Sequence, residues 1–149
     1  MRHVLKRIMS RSLWPKERIL EAADGQEGLE LARTPGVSLV LADIQMPVMG
    51  GLEMLQKIRE DENLGDVLVL MVTAVTTRAA EVKARKLGAA GYIRKPFDPD
   101  QITSEVTRVW TAAGRTRLVA PRPLAQPVSR SVLRPMICAT WVREGKTRR

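Results

Sequence analysis

Residues 38–51, SLVLADIQMPVMGG, decide how the rest of the chain is read. Ser38 to Ala42 is a short apolar run, too brief for a helix and continuous rather than alternating, as expected of a strand buried on both faces. Asp43 stands where the run stops, and Gly50 and Gly51 then break the chain. A strand covered on both sides implies crossover helices, so helical periodicity is expected before and after it.

That periodicity is present. Upstream, Val4, Leu5, Ile8, Met9 and Leu13 recur at helical spacing with Lys6, Arg7 and Arg11 between them, so the chain opens in a helix. RILEAADG (18–25) follows as a weak strand and GQEGLELAR (25–33) as a helix. Downstream, Leu52, Leu55 and Ile58 mark a helix face, and VLVLMVT (67–73) is a second apolar strand. Ala80, Ala84 and Leu87 line another helix, with Gly88 placed as its C-terminal cap. GYIRKPF (91–97) is a third strand candidate, and Asp98–Pro99 starts a helix carrying Ile102, Val106, Val109 and Trp110. Strands alternating with helices predict a doubly wound α/β domain with a parallel sheet.

Charge divides the chain. Residues 1–110 carry 16 basic and 15 acidic residues, whereas 111–149 carry nine basic residues against Glu144 alone, so most of the net charge of +9 sits there. Four prolines interrupt that segment, and it has no apolar periodicity. Two regions are therefore expected: a domain over 1–110 and a basic, Pro/Arg-rich, disordered tail over 111–149. A lone cysteine, Cys138, leaves no internal disulfide, and no apolar run reaches the roughly 20 residues of a membrane span. A cytoplasmic protein without membrane attachment is expected. The tail's charge suits nonspecific polyanion contact, but no helix–turn–helix periodicity is present, so specific DNA binding is not expected.

In open α/β sheets, ligands sit beyond the carboxyl ends of the strands. Three chemistry-bearing residues fall there: Asp43, Thr73 and Lys95. A carboxylate, a hydroxyl and an ammonium at one sheet edge suit phosphoryl transfer: the first attacks phosphorus, the second bonds a phosphoryl oxygen, and the third balances charge. Any one of them alone would be ordinary; their joint placement carries the reading. His3 is expected on the solvated side of the opening helix, and Cys138 is expected to be incidental. An aspartate-nucleophile phosphatase of the haloacid-dehalogenase type is disfavoured, because Gln45 stands where such enzymes use a second aspartate.

LADIQMPVMGG, MVTA and GAAGYIRKPF together resemble the receiver domain of bacterial two-component response regulators, with the short chemotaxis-type single-domain receivers looking closest. The resemblance covers residues 1 to about 110 and implies a flavodoxin-like fold of strand order 2-1-3-4-5, an order known for a chemotaxis receiver. It implies that Asp43 is the phosphoacceptor, that Thr73 and Tyr92 form the switch, that Lys95 is the lysine of the Lys–Pro loop, and that Lys95–Pro96 is cis. It implies a histidine kinase as phosphodonor and an unidentified downstream protein as target, the chain being a phosphoacceptor signalling protein rather than an enzyme. It also implies Mg²⁺, held by the Asp43 carboxylate and the backbone carbonyl of Gln45. Receivers, however, begin with an apolar strand ending in two acidic residues, and Met1 here falls within the first helix. The chain is therefore expected to be N-terminally truncated, with an empty central place in its sheet and a weak metal site. A degenerate receiver, binding partners without phosphorylation, is the alternative.

Overall fold

A computed structural model describes residues 2–14, 16–115 and 136–139. The elements in chain order are α1 (Arg2–Ser12), β1 (Ile19–Ala22), α2 (Gly25–Ala32), β2 (Leu39–Ala42), α3 (Gly51–Glu60), β3 (Leu68–Thr73), α4 (Arg78–Lys86), β4 (Gly91–Arg94), α5 (Pro99–Ala112) and β5 (Met136–Ala139). All strand pairings are parallel.

Local sequence explains most boundaries. Asp24 caps α2 by accepting from the Glu27 N–H, and Thr77 caps α4 by accepting from the Ala80 N–H, each satisfying a donor that a helix start leaves unpaired. Asp98 and Gln101 form a reciprocal capping box at α5, with Pro99 in its first turn. Gly88 follows α4 at φ +91°, the left-handed conformation that ends helices and that glycine adopts without a Cβ penalty.

Alternation along the strands divides the core. Leu39, Leu41, Leu70 and Val72 pack with Leu5, Ile8 and Met9 of α1 and Ile102, Val106 and Val109 of α5. Val40, Ala42, Val69 and Met71 face the opposite way, onto Leu29 of α2, Met54, Leu55 and Ile58 of α3 and Ala84 of α4. Helices thus cover both faces of the sheet, the doubly wound arrangement that the periodicity predicts and that the resemblance implies to be flavodoxin-like.

The strand order is β1-β5-β2-β3-β4. This is the 2-1-3-4-5 order with its second-placed, interior strand supplied last in the chain. Met136–Ala139 pairs with Ile19–Ala22 on one side and with Leu39–Ala42 on the other. Two expectations are corrected here. The place expected to be empty, between β1 and β2, is filled, and the segment read as a structureless tail from residue 111 contains a strand. α5 continues to Ala112, and the Arg115 side chain donates to the Ser38 and Asp66 carbonyls. The physical reason is backbone accounting. β1 and β2 would face the gap with unpaired N–H and C=O groups between two apolar layers, and a four-residue apolar segment satisfies both edges. Residues 116–135 and 140–149, where the rest of the tail expectation falls, lie outside the described residues.

Candidate functional site

The carboxyl ends of β2, β3 and β4 lie side by side, which puts Asp43, Thr73 and Lys95 at one edge of the sheet, with Asp43 and Lys95 in contact. Asp43 follows Ala42, the last residue of β2, and is buried. Its Oδ1 accepts from the Gln45 N–H at 3.0 Å, a turn that fixes the carboxylate's orientation. Its Oδ2 pairs with Lys95 Nζ. Lys95 is held from behind, since its own N–H donates to the Thr73 carbonyl at 2.9 Å. The Lys95–Pro96 peptide is cis, as the resemblance implies. The result is one carboxylate and one ammonium in contact, both largely removed from water.

Thr73 and Tyr92 both attach to a residue that sequence reasoning did not single out. Thr73 Oγ1 accepts from the Val75 N–H at 3.2 Å, and Tyr92 Oη donates to the Val75 carbonyl at 2.6 Å. The two switch candidates thus share the backbone of Val75 in the loop after β3. Partial burial pushes the Tyr92 phenol up, and the charges of Glu81 and Asp43 add to the effect against Arg94. Hydrogen bonds from Arg94 and then Arg85 hold the Glu81 carboxyl below the usual range, tying α4 to β4 beside Tyr92.

Gly51 is a second determinant that the reading of a glycine pair as a chain break missed. A Cβ there would lie 2.1 Å from the Asp43 carbonyl oxygen, so α3 begins against the acceptor loop only because residue 51 has no side chain. Val48, at the tip of the loop between them, is 82% exposed and has φ 64°. It centres a three-residue turn closed by Met49 N–H to the Pro47 carbonyl, 2.7 Å. His3 is exposed and pairs with Glu21 at 3.1 Å, consistent with a solvated role.

Residues 1–107 match the response regulator receiver domain. The chain belongs to that family. The receiver is similar to a probable transcriptional regulator, ycf29, of Porphyra purpurea, with 35% identity over 83 residues, 56% of this chain and 40% of that protein. It is 31% identical over 93 residues to hybrid signal transduction histidine kinase D of Dictyostelium discoideum, spanning 62% of this chain and 6% of that one. The chain therefore covers less than half of either relative. Among solved structures, the receiver resembles the chemotaxis protein CheY4 of Vibrio cholerae, with TM-score 0.63, 26% identity, and 72% and 88% of the two chains covered. A CheY-like receiver domain protein of Methanospirillum hungatei gives TM-score 0.57 and 28% identity, over 62% and 73%. The family match ends before β5.

Receiver domains in general bind Mg²⁺ at the phosphorylation site. This receiver's described residues do not fit the ion: no group of three or more His, Cys, Asp or Glu is placed to hold a metal. The one carboxylate at the site already serves Lys95 and the Gln45 N–H, whereas Mg²⁺ wants near-octahedral oxygen donors. β5 fills the place of the family's acid-tipped strand, but the residues after it in sequence are Thr140 and Trp141, not acids. No helix among the described residues is long and apolar enough to cross a membrane.

Proposed function

We propose that this receiver accepts a phosphoryl group on Asp43 from a histidine kinase's phosphohistidine and signals by protein–protein contact. The observation that carries the reading is the Asp43–Lys95 pair at the carboxyl edge of the sheet. A carboxylate oxygen attacks phosphorus, the acyl phosphate forms, and the neutral imidazole leaves. Lys95 stays within reach of the new phosphoryl oxygens, whose negative charge its ammonium offsets. Thr73 supplies a hydroxyl from the end of β3, and reorienting it toward a phosphoryl oxygen would release the Val75 N–H. That links acceptance to the loop that Tyr92 also holds, and through it to a partner face around Tyr92.

The lone carboxylate favours a second reading, a phosphorylation-independent binding module that keeps the fold and the Tyr92 face. One solved structure to which the receiver is similar is a DNA-binding response regulator of the LuxR family from Staphylococcus aureus. The exposed surroundings of Tyr92, whose hydroxyl donates to the Val75 carbonyl, support protein contact as the output of the receiver itself.

Incubation with a radiolabelled acyl phosphate donor separates the two readings. Acceptance on Asp43 predicts one phosphoryl group per chain, weak stimulation by Mg²⁺, and no label on Asp43→Asn. Label persisting on that variant would sink the assignment, and a folded wild-type protein that takes no label would select the second reading.

A further inference from the structure

We propose that the gap between β1 and β2 is a binding site for an extended peptide strand, filled in cis by Met136–Ala139 and able to release that strand and take it up in trans. β1 and β2 meet only through β5: Leu20 and Val40 both pair with Ile137, and Ala22 and Ala42 both pair with Ala139. All four residues of β2 are buried. Removing β5 would leave two parallel rows of backbone donors and acceptors facing each other across a gap one strand wide. A site of this kind selects its occupant by direction and register, through main-chain bonds on both sides. Roofing by the two apolar clusters further restricts it to apolar segments.

The link to the occupant imposes little. Arg115 is anchored at the amino edge of the sheet, donating to the Ser38 carbonyl at 3.0 Å and to the Asp66 carbonyl, with its guanidinium 5.0 Å from the Trp110 ring centroid. Ser38 directly precedes Leu39, the partner of Met136. The chain therefore leaves and re-enters at one edge, yet residues 116–135 intervene. Twenty residues reach up to about 66 Å, against a strand spacing of about 4.8 Å. Pairing, not the link, sets where β5 lies. The link's contribution is an effective concentration set by its reach. A four-residue strand held by pairing and local concentration behaves as a ligand of the sheet.

The test uses the full chain with a protease site placed within residues 116–135 and cut after folding. A fluorescent synthetic peptide of residues 131–145 is then added under reducing conditions, and its anisotropy is followed. The expected result is saturable uptake by the cut protein and at least tenfold less by the uncut chain, whose own strand competes. A peptide with Ile137→Pro, lacking the central N–H, should fail to bind. The proposal is overturned if the released fragment separates while the body keeps its unfolding temperature. It is equally overturned if the cut protein takes up no peptide, folded or not, or if the proline peptide binds as well as the native one. No phosphodonor is involved, so the outcome is independent of whether Asp43 accepts phosphate.

Discussion

Ala139 lies in register with Ala42, one residue before Asp43, so a segment from near the end of the chain sits beside the strand that presents the acceptor. In the family's order that place belongs to the first strand. Here β2 is paired on one side by residues nearly one hundred positions later.

Replacing Ile137 by proline in the intact chain should therefore damage the whole domain. Each lost or unsatisfied buried backbone bond costs about 1–3 kcal/mol, and native stability is typically about 5–15 kcal/mol in total. Loss or strong broadening of the cooperative unfolding transition in circular dichroism is expected. A transition unchanged from wild type would show that β5 contributes no pairing.

Lys95→Met should destabilise the protein by about 3 kcal/mol, because it strands the Asp43 carboxylate in a site with little water. The double variant with Asp43→Asn should recover much of that loss. Urea unfolding of the four proteins in a double-mutant cycle measures the coupling, and additive effects would mean that the pair is not energetically linked.

Gly51→Ala places a Cβ 2.1 Å from the Asp43 carbonyl oxygen. A cost of about 1–3 kcal/mol is expected from the enforced shift, together with reduced phosphoryl incorporation. Gly65→Ala is the control, since its nearest contact would be an ordinary 3.8 Å, and its stability should change by no more than about 0.5 kcal/mol.

Val48 adopts φ 64° while fully in solvent reach. Asparagine tolerates that conformation far better than a β-branched residue. Val48→Asn should raise stability by about 1 kcal/mol, read as a higher urea midpoint. A lower midpoint would mean that the exposed valine makes a favourable contact in the folded state.

Acid should weaken the fold in a defined sense. Hydrogen bonds from Arg108 to Glu105, from Arg94 to Glu81 and from Arg33 to Asp61 hold these carboxyls below their ordinary values. Burial would raise Glu21, but Lys6, His3 and Arg2 outweigh it and leave that carboxyl lowered as well. Groups depressed on folding contribute stability that is present above the unfolded value, about pH 4, and lost as pH falls through the folded value. The urea midpoint should thus fall below about pH 4, and Glu105→Gln should make that fall shallower.

The sequence by itself determined the alternation of helices and strands, the two-sided burial of SLVLA, and the placement of Asp43, Thr73 and Lys95 at one edge. Each of these follows from local pattern, because periodicity fixes the element and the parallel sheet fixes which ends are shared. Gly51 and Val75 were not legible, since a close backbone approach and a shared hydrogen-bond acceptor exist only between segments that are distant in sequence. The interior strand β5 was the largest omission. MICA is four residues among prolines and arginines, with no turn signal and no periodicity, and nothing local marks it as a strand. Only the assembled sheet makes it one, because the paired edges of β1 and β2 create a demand for backbone partners that a short apolar segment can meet wherever it lies in the chain.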